Sequence, residues 1–181
     1  MHIAAQDFKH AFRNHPVGVA VVTADVGQGP VAMTVSSLSS VCLDPPTLTF
    51  SASAISSATP TIRQAGTLVV HLVASDRVDL AELGAKSGID RFADDIDWSR
   101  LPTGEPYYPN ANAWLRCQVV DRLDVHGSWL IIAEAIGAKP HGNGSDPQPL
   151  VYHNRNWFSL GDKAVLRPTQ LPFHVVWRGE D

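Results

Sequence analysis

Two long runs rich in strand-forming residues, Trp114–Val125 and Ser128–Ala138, are separated by nothing but His126-Gly127. So short a connection reads as a hairpin turn, and it puts Leu115, Cys117 and Val119 on one face of the first strand. The other segments agree with an antiparallel sheet. Val17–Ala24, Val31–Val35, Ser37–Leu43, Thr47–Ala52, Thr67–Ala74, Leu150–His153 and Trp157–Leu160 are short strand-like runs, and Phe173–Trp177 offers one more. Turn residues such as Gly27-Gln28-Gly29-Pro30 and Asp44-Pro45-Pro46 stand between them.

Helical patterns are confined to the start and the middle. Ala5–Asn14 spaces Phe8 and Phe12 four apart, and His15-Pro16 ends it, because the residue before proline is pushed out of helical space. Thr59-Pro60 supplies a cap and a first-turn proline for a short helix that Gly66 closes. Ser75-Asp76 caps another through about Gly84, with Val78, Leu80, Ala81 and Leu83 on its buried side. Lys86–Asn112 shows no sustained period and reads as a long surface connection, and Lys139–Pro149 as a turn-rich loop. Strands joined by tight turns predict a mainly β fold, an antiparallel barrel with peripheral α-helices, in one domain spanning residues 1–181.

With 44% hydrophobic and 18% charged residues, the chain belongs with folded globular proteins. A formal net charge of -4 argues against a nucleic-acid partner, which needs clustered Lys and Arg. Val17–Val22, the longest apolar stretch, falls far short of the roughly 20 residues of a membrane span. The N-terminal Met-His-Ile-Ala-Ala-Gln-Asp has neither a basic nor a long apolar region, which predicts a cytoplasmic protein. Cys42 and Cys117 form no CxxC pattern and are expected as buried, reduced thiols. His15, His71, His126 and His153 lack metal-ligand spacing, and no Ser-His-Asp or Cys-His set can be assembled. Neither a metal ligand nor a catalytic side chain is assigned.

Gly27-Gln28-Gly29-Pro30-Val31-Ala32 matches a dinucleotide fingerprint but leads into a strand, not the helix whose N-terminus would hold a pyrophosphate. The hydroxyls are more informative. Thr34, Ser36 and Ser37 form one cluster and Ser53, Ser56, Ser57 and Thr59 another. Beside exposed backbone N–H groups such hydroxyls hold a phosphate without basic residues, although turns and sheet edges use the same residues. Asp90-Arg91-Phe92 offers the one permanent charge such a site needs, or an ion pair with Asp94 or Asp95.

Taken in order, Phe8-Lys9-His10-Ala11-Phe12 with Pro16-Val17-Gly18-Val19, Met33-Thr34-Val35-Ser36-Ser37-Leu38, Asp44-Pro45-Pro46, Ser56-Ser57-Ala58-Thr59 with Ile62–Gly66, Asp90-Arg91-Phe92, Gly127 before Leu130–Ala135, and Pro149-Leu150-Val151-Tyr152 resemble the flavin reductase-like family of FMN-binding split-barrel proteins. The resemblance covers roughly Phe8–Leu160. It implies a six-stranded antiparallel split barrel of Greek-key topology with peripheral α-helices, forming a homodimer. FMN, with FAD as the alternative, would sit near the subunit interface, and NADH or NADPH would be the electron donor. By position, Thr34, Val35, Ser36 and Ser37 would line the isoalloxazine and ribityl chain, and Met33 would also belong to the cofactor site. Ser57 and Thr59, with Arg91 and Phe92, would bracket the phosphate, and Ser53 and Ala58 would also belong to the cofactor site.

In the family a hydride passes from NAD(P)H to flavin, and the reduced flavin often leaves to feed a partner monooxygenase. Many members carry Gly-Asp-His at the hairpin, where the His meets the nicotinamide; this chain reads Gly127-Ser128-Trp129. Ser128 and Trp129 are therefore the nicotinamide-site candidates, and the Trp either stacks on the nicotinamide or takes its place. His126, one position before Gly127, is expected to point to the opposite face of the strand and is not taken as a replacement for that His. Tyr152 and Trp157 either cover the flavin or fill the core. Two functions follow: an NAD(P)H-dependent flavin oxidoreductase, or a flavin-binding protein without that turnover or with a different electron donor.

Overall fold

The computed structural model describes residues 2–140 and 147–166. The strand expected at Phe173–Trp177 and the centre of the Lys139–Pro149 loop lie outside them. The chain opens with α1 (Ala5–Arg13) and runs through β1 (Val17–Gly18), β2 (Ala20–Ala24), β3 (Val31–Val35), β4 (Ser39–Leu43) and β5 (Pro46–Ala52). Next come α2 (Thr59–Ile62), β6 (Thr67–Leu72), α3 (Val78–Ala85), and the two-residue β7 (Ser99–Arg100) and β8 (Pro106–Tyr107). The long hairpin β9 (Ala113–Val125) and β10 (Ser128–Lys139) follows, then β11 (Leu150–His153) and β12 (Asn156–Ser159). His126 and Gly127 turn that hairpin with φ of 53° and 85°, the left-handed pair a two-residue connection favours.

Seven strands make one antiparallel sheet in the order β3-β2-β6-β9-β10-β5-β4. This corrects the expected six. The Ser37–Leu43 segment adds a full edge strand, pairing Ser39 with Thr49 and Leu43 with Pro46, and no ladder joins β3 to β4. The single strand expected over Val17–Ala24 is divided, because Val17 and Gly18 pair with Tyr152 and Val151 in a separate three-stranded sheet, β1-β11-β12. The hairpin serves both flanks of the large sheet. β9 pairs with β6 through Ala113–Gln118, and β10 pairs with β5 through Trp129–Glu134.

Alternation puts Ala20, Val22 and Ala24 of β2, Met33 and Val35 of β3, Leu48, Phe50 and Ala52 of β5, Leu68 and Val70 of β6, and Ile131 and Ala133 of β10 into one inner core, closed at one end by Ala58, Ile62 and Ala65 around α2. A β-bulge at Val120 shifts the register, so that Ala133 faces Val119 but Ile132 faces Asp121. Cys117 and Val119 therefore point inward, and Leu123 and Val125 are turned to the surface. Cys117 is buried as expected, and its thiol is pushed up to about 12 by that burial. Cys42, on the edge strand, is exposed instead of buried.

The opposite face of β2 and β3 is covered by α3 and by the 86–112 segment, which corrects its reading as a surface connection. Phe92 stacks on Tyr108 with centroids 5.5 Å apart and meets Trp98 edge-on at 5.1 Å. His71, fully buried beneath them, accepts the Tyr108 N–H at Nε2 (3.1 Å), so the proton sits on Nδ1 and is donated to the Val21 carbonyl at 2.9 Å. Desolvation lowers this imidazole to about 4. Buried Glu105 pairs with Arg116 at 2.8 Å. Burial raises the Glu105 carboxyl, but Arg116 and the Thr103 hydroxyl outweigh it and hold the group at about 2.

Candidate functional site

The site is built where β3 runs out of the sheet. Met33 and Val35 are spent on the inner core, while Thr34 faces α3. Its hydroxyl donates to the Ala81 carbonyl at 2.7 Å, and Gly84 of α3 lies so close that a Cβ there would be 2.4 Å from the Thr34 oxygen. Only glycine lets the last turn of α3 sit this low on β3. Ser36 and Ser37, just past the strand, are exposed. Ser37 Oγ accepts the Ser51 N–H at 2.9 Å, which ties this stretch to the far end of β5.

Ser36, Ser37 and Leu38 form one wall of a cleft of about 760 Å³. Lys9, Phe12 and Arg13 of α1, the segment His15–Gly18, and Tyr152, His153, Asn154 and Arg155 form the rest. Among the described residues no carboxylate lines it. Ser36 and Tyr152 also line an inner cavity of about 180 Å³ that is completed by Val19, Thr34, Ala85 and Trp157. Tyr152 and Trp157, with centroids 4.8 Å apart, thus make an aromatic wall where the cleft meets the cavity. Lys9 and Arg13 stand four apart on one helix face, but the sequence offered no signal that Arg155 meets them, since that convergence comes from α1 docking beside the β11–β12 turn.

The other expected residues fall into two further places. Ser53, Ser57 and Ala58 lie on the loop after β5, and Thr59 opens α2. Thr59 is not the cap expected there: Ala58 precedes the helix, and the Thr59 hydroxyl donates to the Ser53 carbonyl at 2.6 Å, holding the loop as a closed turn. Gly66 carries no left-handed φ; its carbonyl accepts the Val119 N–H at 2.9 Å. Ser128 Oγ accepts the Ala54 N–H at 3.4 Å, so the hairpin end and this loop touch. Trp129 is half-buried against the inner core opposite Ala52, with the Arg63 guanidinium 5.7 Å from its ring. Ser51–Ser37 is the link from this group to the cleft.

Arg91 and Phe92 sit on the α3 side. Arg91 donates to the carbonyls of Leu83 (3.2 Å) and Lys86 (2.6 Å), closing the C-terminal end of α3, where a cation is favoured by the helix dipole. Phe92 belongs to the outer aromatic core. The rejected glycine motif is a β2–β3 turn: Asp25 accepts the N–H groups of Gly27 (2.8 Å) and Gly29 (3.2 Å) and pairs with Arg100, so a carboxylate already fills the place a phosphate would take. Among the described residues no His, Cys, Asp and Glu group gathers as a metal site, and no helix is long and apolar enough to cross a membrane.

Whether these residues suit a flavin is decided by the lining. A planar, anionic ligand needs hydroxyls and cations at the rim, aromatic surface at the wall, and no carboxylate. The cleft and its inner cavity meet each requirement through Ser36 and Ser37, Lys9 and Arg13, and Tyr152 and Trp157.

Comparison with known proteins agrees with that geometry. Residues 12–161 match the family described as flavin reductase like domain. The chain is 37% identical over 172 residues to an NADH:FMN oxidoreductase from Rhodococcus qingshengii, covering 93% of this chain and 84% of the relative. Its fold superposes on a flavin reductase domain protein from Arthrobacter with a TM-score of 0.81 at 27% identity, covering 93% of this chain and all of the other. BorF, the flavin reductase component of a bacterial two-component tryptophan halogenase, matches with a TM-score of 0.76 at 27% identity, over 88% of this chain and 99% of that one. With a model match spanning most of its length and a relative of this identity, the chain belongs to the flavin reductase-like family.

Proposed function

We propose that this protein is an NAD(P)H:flavin oxidoreductase that passes a hydride from a reduced nicotinamide to FMN, with NADH as the first donor to test. The observation that carries the reading is the position of Ser36 and Ser37, on the stretch the family resemblance assigns to flavin, in the wall of a cation-lined cleft with no carboxylate among its described residues. The split-barrel form is part of the proposal, with the inner core of the seven-stranded sheet as its interior. So are a single domain, a homodimer, a cytoplasmic location and delivery of reduced flavin to a partner monooxygenase.

Bound flavin would supply the two-electron acceptor that the side chains themselves lack. The protein's part is to bind, orient and exclude water. Ser36 and Ser37 hydroxyls would hold polar edges of the ring and ribityl chain, and the Ser53–Thr59 loop, joined to them through Ser51, would receive the phosphate. Tyr152 and Trp157 would close one side of the cavity and keep water from it. Arg91 and Phe92 would act through α3, fixing the turn that carries Ala85 into the cavity wall. Thr34 has its hydroxyl committed to Ala81, so it would offer backbone rather than side chain.

A second reading, flavin binding without NAD(P)H turnover, is favoured by Trp129: its ring is packed on the inner core and covered by Arg63. Steady-state oxidation of NADH and NADPH with and without added FMN separates the two. Turnover that depends on FMN supports the reductase, whereas tight FMN binding with no oxidation of either donor moves the protein to the second reading.

A further inference from the structure

The cleft carries more charge than an FMN ring needs. Lys9 and Arg13 stand one helical turn apart on α1, and Arg155 faces them from the β11–β12 turn. Among the described residues none of the three is in an ion pair, in a chain whose net charge is -4. Arg155 is placed there by an unfavourable backbone. Asn154 and Arg155 have φ of 46° and 65°, a left-handed pair glycine would adopt without strain, and the Asn154 N–H is anchored on the Arg13 carbonyl at 3.2 Å. Phe12, 59% exposed, lines the same cleft and pairs with the rings of Phe8 and His15.

Three cations with no carboxylate among the described lining residues, beside an exposed aromatic ring, match a nucleoside diphosphate: charge-assisted hydrogen bonds take the phosphates and the ring stacks on the base. At about 760 Å³ the cleft has room for one. It also leads to the right place, because Ser36 and Tyr152 are shared with the inner cavity of Thr34, Ala85 and Trp157. We infer that the cleft between α1 and the β11–β12 turn binds the ADP half of a dinucleotide, with Lys9, Arg13 and Arg155 on the diphosphate and Phe12 under the adenine. The inference rests on the reductase reading. The ADP half is common to NAD(P)H and FAD, and the experiment separates these sources.

The full chain and the variants Arg13→Gln, Arg155→Gly and Arg155→Lys are compared by calorimetric titration with ADP, by NADH kinetics with FMN as acceptor, and by direct titration with FMN and FAD. Arg155→Gly suits the turn's left-handed backbone, so an unchanged or raised Tm shows that any loss belongs to the charge. The expected result is ADP binding by the wild type, weakened about tenfold by each charge removal and restored in Arg155→Lys. The KM for NADH should rise by a similar factor with kcat within about twofold, and FMN affinity, with the Ser53–Thr59 loop for its phosphate, should fall by less than ADP affinity. A loss confined to FAD, with NADH kinetics intact, also supports an ADP site and assigns it to the flavin. ADP that fails to bind the wild type, or binds every variant equally, overturns the inference. Because the ADP titration needs no turnover, a protein that binds ADP here yet never oxidises NADH defeats the reductase reading alone.

Discussion

Replacing Gly84 by alanine tests whether α3 positions the site. The added Cβ would lie 2.4 Å from Thr34 Oγ1, 3.0 Å from Thr34 N and 3.3 Å from the Met33 carbonyl carbon. The two backbone atoms belong to β3, which its ladder to β2 holds in place, so the helix must move. Overpacking of this kind costs about 1–3 kcal/mol, and losing the Thr34–Ala81 hydrogen bond adds about 1 kcal/mol. Alanine returns up to about 1 kcal/mol through helix propensity, which leaves a net loss of about 2 kcal/mol. For a chain of this size that is a Tm lower by roughly 4–8 °C, readable by calorimetry or circular dichroism. A background that removes the Thr34 hydroxyl supplies the control. In Thr34→Ala the same Gly84 change should cost about 1 kcal/mol less, because the closest contact is gone. An unchanged or raised Tm for Gly84→Ala in the wild-type background would refute the seating of α3 on Thr34.

Two further outcomes follow from buried charge. His71 is held at about 4 against an ordinary 6.5, so the unfolded chain takes up its proton first; stability should be whole above about pH 6.5 and fall by about 3 kcal/mol as the pH drops to 4. Urea denaturation across that window measures this, and a His71→Asn variant that keeps the same pH slope would contradict the assignment. Glu105→Gln should leave the Arg116 guanidinium without its counter-charge and lower unfolding free energy by about 3 kcal/mol. A urea midpoint equal to that of the wild type would show that the pair contributes nothing.

Much of this architecture was legible because it rests on local rules. His126-Gly127 between two long runs, Val31–Val35 after a Gly-Pro turn, and Phe8 with Phe12 before His15-Pro16 gave the β9–β10 hairpin, β3 and α1 nearly as they stand. What could not be read depends on partners distant in sequence. The bulge at Val120, which turns Leu123 and Val125 outward, arises from how β9 fits β6 on one side and β10 on the other. The 86–112 segment has no period because its aromatics pack through individual contacts, Phe92 on Tyr108 and Tyr108 over His71, rather than along a helix face. In the site, the hydroxyl clusters were visible as residue types, but hydrogen bonds decide their roles: Thr34 and Thr59 spend theirs inside the protein, while Ser36 and Ser37 face the cleft. Lys9 and Arg13 share one face of α1, but Arg155 lies far along the chain, so spacing could not show that it joins them.

The central claim is that a nicotinamide donor reduces flavin held in this fold, and rapid anaerobic mixing tests it most directly. The protein, loaded with FMN, is mixed with NADH or NADPH while the visible absorbance of the flavin is followed. The account predicts that the yellow band bleaches within seconds with at least one donor, far faster than for the same mixture of free FMN and donor. A protein that holds FMN while its band stays unchanged with both donors would contradict the claim and leave a flavin-binding protein whose hairpin, at Ser128 and Trp129, no longer admits a nicotinamide.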